Sequence, residues 1–151
     1  MSGALAKLPA SGGTTLIDHD FATDQTGNYT GTGSATVAWQ SGTSNMLITQ
    51  GAAWEGAYIQ VDNVPAGDVL LTAKGVVTGG GSGDIKIGTT ANGEQLGNTD
   101  NASGIQFKTG ISDETFTVNN ASLRTLYFTL RKRGGAAGNT LTVDNFKVEA
   151  V

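Results

Sequence analysis

From Thr15 onward, apolar residues recur at every second position in short runs, and clusters of Gly, Asn and Asp interrupt each run within about a dozen residues. Side chains alternate faces along a strand, so this period is that of half-buried β-strands. No segment carries the competing helical period. The 23 glycines, 2 prolines and 15% charged residues suit short strands joined by turns. At 151 residues the chain fits one domain with a core of its own. The expected fold is therefore all-β: a two-sheet antiparallel β-sandwich of jelly-roll type over residues 15–151. Residues 1–14 have small side chains, a Gly12-Gly13 pair and no period, and read as an extended N-terminal arm.

The strand candidates are residues 15–21, 35–40, 45–50, 57–62, 68–78, 84–89, 104–109, 114–118, 123–133 and 140–151. Alternation turns Ile59 and Val61, Ile85 and Ile87, Ile105 and Phe107, Phe116 and Val118, and Leu126, Phe128 and Leu130 inward. Tyr127, Thr129 and Arg131 then point outward. In the last strand Leu141 and Val143 hold one parity while Phe146, Val148 and Ala150 hold the other, so a bulge at Asp144-Asn145 is needed to keep one buried face. Residues 79–83 and 90–103 read as flexible loops.

Several classes of function are excluded or disfavoured. Cysteine is absent, which removes disulfides, thiolate metal sites and a Cys nucleophile. The net charge of −4 argues against a nucleic-acid surface, and the one basic run, Arg131-Lys132-Arg133, reads as a solvated strand end. No apolar stretch approaches the length of a membrane span, so no membrane partner is expected. The opening MSGALAKLPASGG lacks the basic head and apolar run of a signal peptide, which points to a protein made and kept in the cytosol. The sequons at Asn28, Asn101 and Asn120 are chance matches in a chain rich in Asn, Ser and Thr.

Catalysis finds no support in the motifs. The sole histidine, His19, lies inside the first strand. No Gly-x-Ser-x-Gly elbow or His-Glu-x-x-His helix occurs, and nothing marks a pair among Glu55, Glu94, Glu114 and the aspartates. The glycine run from Gly79 lacks the Lys-Ser/Thr ending of a phosphate loop. The chain reads as non-enzymatic, with no required cofactor.

Four segments carry a resemblance. They are Asp20-Phe21; Met46-Leu47-Ile48 with Trp54-Glu55-Gly56-Ala57-Tyr58-Ile59-Gln60-Val61; Val64 to Lys74 with its Pro65-Ala66-Gly67 turn; and Leu141-Thr142-Val143-Asp144-Asn145-Phe146-Lys147-Val148. In order and spacing, over residues 17–151, the chain resembles the carbohydrate-binding modules of the galactose-binding-like jelly-roll superfamily. The resemblance implies two facing antiparallel sheets and a glycan as ligand. Such modules stack aromatic faces on sugar rings, which directs attention to exposed Trp and Tyr. Trp39 shares the parity of Val37 and reads as buried. Trp54, between Gly51 and Gly56, stands just outside a strand, where ligand contact and core packing are both open; Tyr29 in a Gly/Thr loop and Tyr127 on an outward position complete the ligand-binding candidates. The superfamily also places its terminal strands around a structural ion. Asp18, Asp20 and Asp144 are thus candidate ligands for structural calcium, the alternative being that they satisfy turns or bulges.

Two functional expectations follow. The first is a virion accessory protein of a phage, a capsid decoration or tail-associated protein assembled in the host cytoplasm, docked on a capsid or tail protein in a symmetric or homo-oligomeric assembly. The alternative is a carbohydrate-binding module, free-standing or derived from a secreted enzyme, that recognises a polysaccharide. In the first, Leu5 and Leu8 are the docking residues, being the only large apolar side chains of a segment otherwise made of small residues and Lys7. Deleting residues 1–13 should then leave a folded, soluble sandwich that no longer copurifies with the particle.

Overall fold

The computed structural model describes residues 13–99, 105–107 and 114–151. Eleven strands lie among them: β1 (Thr14–His19), β2 (Thr30–Gly31), β3 (Thr36–Gln40), β4 (Asn45–Thr49), β5 (Gly56–Val64), β6 (Gly67–Val77), β7 (Gly83–Gly88), β8 (Gly97–Asn98), β9 (Glu114–Asn120), β10 (Arg124–Lys132) and β11 (Thr140–Ala150). The only helical element is a single 3-10 turn, Thr26–Asn28, among the described residues.

All pairings are antiparallel. One sheet runs β3-β4-β11-β6-β9, with β1 added to β11, and the other runs β2-β5-β10-β7-β8. Strand β11 is long enough to serve two neighbours on one edge: residues 140–143 pair with β4 and residues 146–150 with β1. The first and last strands are thus adjacent. The register shift against β6 falls between Val143 and Asn145, at the bulge that the phase break demands.

The two sheets face each other across an apolar core, as expected of a jelly-roll sandwich. Met46, Ile48, Leu71, Val143, Phe146 and Val148 come from the first sheet, and Ile59, Ile85, Ile87, Leu126, Phe128 and Leu130 from the second. Phe128 and Phe146 meet across the middle, edge to face, with ring centroids 6.1 Å apart.

Three expectations need adjustment. Residues 105–107 contribute a single bridge, Phe107 to Gly83, while the rest of the strand expected over 104–109 lies outside the described residues. Thr129 does face away from the core, yet it is fully buried, lying in register between Tyr58 of β5 and Lys86 of β7. Trp39 turns inward but is only half-buried, its indole N–H donating to the Phe21 carbonyl at 2.9 Å. Strands β2 and β8 are two residues each and carry no readable period. Truncation of Phe128 to Ala empties the centre of the core and should cost about 3–5 kcal/mol, read from chemical denaturation.

Candidate functional site

The outward side chains distinguish the two sheets. On the first sheet they include Thr36, Leu47, Thr72, Lys74, Thr142 and Lys147, and no aromatic among the described residues. On the second sheet Tyr58 of β5 and Tyr127 of β10 point away from the core, because Ile59 on β5 and Leu126 and Phe128 on β10 take the inward parity. Tyr58 lies opposite Thr129 and Tyr127 opposite Gln60, so the two tyrosines meet on the diagonal, edge to face, with centroids 5.9 Å apart.

Polar groups flank this pair along the strands. At one end Asp62 Oδ1 accepts from Gln60 Nε2 at 2.9 Å and from Thr125 Oγ1 at 2.8 Å. These bonds, Gln60's first, hold the Asp62 carboxyl below the usual aspartate value. At the other end Arg131 faces Asp84 in register and grips it with two bonds, Nε to Oδ1 at 2.7 Å and Nη2 to Oδ2 at 3.0 Å. Asp84 is fully buried, and a fork of charge-assisted bonds is what makes a buried carboxylate tolerable. Beside it Lys86 is also buried and donates to the Asn92 carbonyl at 2.6 Å.

Trp54 closes the Arg131 end. It is 48% exposed and takes a left-handed backbone conformation, φ +68°, that a bulky residue seldom adopts. The guanidinium carbons of Arg131 and Arg133 lie 5.3 and 5.4 Å from its ring centroid, within cation–π range. Its backbone is fixed from several sides. Gly56 passes so close to β10 that a Cβ there would strike the Leu130 carbonyl and Arg131 Cα. The Glu55 carboxylate accepts from the backbone N–H groups of Ser34, Gly51 and Ala52 at 2.8–2.9 Å, and Gln50 Nε2 reaches the carbonyls of Lys132 and Gly134 at 3.0 Å.

The other sequence candidates fall elsewhere. Tyr29 is not a loop platform: at 7% exposure it belongs to the core, its hydroxyl 2.9 Å from His19 Nδ1 and its ring packed near Phe21 and His19. Burial lowers the His19 pKa, against the pull of Asp18 and Asp20, and raises that of Tyr29. Asp18, Asp20 and Asp144 do not gather. Asp18 faces Lys147 in register, Asp20 Oδ1 accepts from the Ala22 N–H at 3.0 Å, and Asp144 sits at the β11 bulge. No group of three or more His, Asp or Glu side chains among the described residues is placed to hold a metal, so this trio does not fit a calcium site. Leu5 and Leu8 lie outside the described residues. Tyr58 is the residue the sequence reading missed, although its parity opposite Ile59 was available to find it.

No protein-family model matches the sequence, and no curated protein does. Solved structures do match. The CBM22-1 xylan-binding domain of Paenibacillus barcinonensis Xyn10C superposes with a TM-score of 0.64 at 18% identity, over 93% of this chain and 97% of that one. TmCBM61, solved in complex with β-1,4-galactotriose, gives 0.59 at 12% identity, over 91% and 99%. The enzymatically active domain of tailspike protein 4 of bacteriophage CBA120 gives 0.50 at 10% identity, over 88% of this chain and 21% of that one. The chain has the fold of the carbohydrate-binding-module jelly rolls.

The Glu55 staple carries a pH dependence. The Ser34 N–H above all, with those of Ala52 and Gly51, holds the Glu55 pKa below its ordinary value. A lowered folded-state pKa means that the stabilisation is present above the unfolded value and lost as pH falls through the folded one. The Glu55 carboxyl should titrate by NMR below an unperturbed glutamate. Exchange of the Ser34, Gly51 and Ala52 amides should accelerate across the same midpoint.

Proposed function

We propose that the protein is a carbohydrate-binding module that holds a polysaccharide on the outer face of its second sheet and does not cleave it. The observation that carries this reading is the Tyr58–Tyr127 pair, two aromatic rings on a face that otherwise offers hydrogen-bonding groups. Aromatic faces contribute stacking area to sugar rings, and Gln60, Asp62 and Thr125 supply fixed partners for hydroxyls. The likeness to xylan-binding and galactotriose-binding domains supports the same reading. Cleavage by two carboxylates would need both of them free to reach one bond, whereas Asp84 is buried and gripped by Arg131. Trp54 borders the face, but with two guanidinium groups over its ring it acts as a rim and the tyrosines as the platform. The other expectation, a virion accessory protein, rests on docking by Leu5 and Leu8, which lie outside the described residues.

Isothermal titration against xylan, β-glucan and galactan oligosaccharides tests the assignment. Tyr127→Ala and Tyr58→Ala should each weaken a bound sugar by roughly fivefold to tenfold, and Trp54→Ala by less. Unchanged affinity in both tyrosine variants would place the site elsewhere.

A further inference from the structure

The tyrosine face carries an exposed carboxylate that no cation pairs with among the described residues. Its cations are engaged, Lys86 with Asn92 and Arg131 with Asp84. Asp62 is exposed and enters no ion pair among the described residues. Both of its hydrogen bonds fall on Oδ1, from Gln60 and Thr125, which leaves Oδ2 without a partner among the described residues. The same two bonds fix the carboxylate in place. Thr125 and Tyr127 are next neighbours on one face of β10, and Gln60, the other donor to Asp62, lies opposite Tyr127, so the carboxylate and the Tyr127 ring occupy adjacent places on the same face.

We propose, building on the glycan-binding reading above, that this face selects polysaccharides bearing free amino groups, such as chains of glucosamine, and seats an ammonium beside Asp62 Oδ2 and the Tyr127 ring. An ammonium gains from both neighbours, by ion pairing with the carboxylate and by attraction to the aromatic face. A hydroxyl at the same place gains one neutral hydrogen bond. A uronate carboxylate is repelled there, on a protein whose net charge is already −4. The hydrogen bonds from Gln60 and Thr125 keep Asp62 ionised at mildly acidic pH, where amino sugars are protonated.

The test is isothermal titration of the whole chain, at mildly acidic pH and low salt, with three hexasaccharides: of glucosamine, of N-acetylglucosamine and of glucose in β-1,4 linkage. The glucosamine hexamer should bind about fivefold to tenfold more tightly than either neutral hexamer. Asp62→Asn keeps the acceptor oxygen for Gln60 and Thr125 and removes only the charge, so the ratio of affinities should fall toward one. High salt should shrink the ratio in the unsubstituted protein. Equal binding of the three hexamers, or a preference that survives Asp62→Asn, overturns the inference. Neutral binding that depends on the tyrosines, without any amino preference, overturns it while leaving the glycan-binding reading standing. Failure of every hexamer to bind overturns it as well, and overturns the glycan-binding reading too where xylan and galactan oligosaccharides also fail.

Discussion

Strand β11 must present one apolar face over eleven residues while pairing along both of its edges, and the bulge after Val143 is what makes this possible. Without the extra residue, Phe146 and Val148 would turn to solvent and Leu141 and Val143 alone would reach the core. Phe146 meets Phe128 of the opposite sheet, so the parity of β11 also sets where β10 lies. Through β10 it sets which way Tyr127 points. The aromatic platform on the outside is in this sense a consequence of a phase correction on the inside, one sheet away.

The second sheet departs from the usual division into a buried and a wet face. Strand β7 is buried on both sides, with Ile85 and Ile87 against the core and Asp84 and Lys86 beneath polar cover. Each charged group is hydrogen-bonded locally: Asp84 by the Arg131 fork and Lys86 to the Asn92 carbonyl. Satisfied in this way, buried polar groups hold their neighbours in one arrangement, whereas losing one partner would strand the other. The Glu55 and Gln50 hydrogen bonds do the same for the loop that carries Trp54. The Arg131 end of the tyrosine face is therefore held in one arrangement by bonds within the fold, as Asp62 is at the opposite end by Gln60 and Thr125.

Most of the sandwich was legible in the sequence because its long strands bury one face each. Leu126, Phe128 and Leu130 declare their parity, and Leu141 against Phe146 declares the bulge. What escaped had no such signal. Thr30–Gly31 and Gly97–Asn98 are strands only because longer neighbours offer them an edge. Tyr29 read as a surface aromatic from its Gly- and Thr-rich surroundings, but the turn before it folds the ring back onto Phe21 and His19, a long-range event that local composition does not encode. Asp18, Asp20 and Asp144 came together only by analogy with a superfamily; in this chain one faces a lysine, one caps a turn and one marks the bulge. Of the platform, Tyr127 was visible from alternation alone, while its pairing with Tyr58 required the register between β5 and β10.

The margins of the tyrosine-bearing sheet have a consequence for crowding. Strands β2 and β8 are two residues long, so each offers a visiting strand little backbone to pair with. The margin of the other sheet at β3 is five residues long and, among the described residues, pairs on one side only. A strand of a second copy would therefore find more backbone to pair with at β3, or at the seven-residue β9 on the opposite margin, than at β2 or β8.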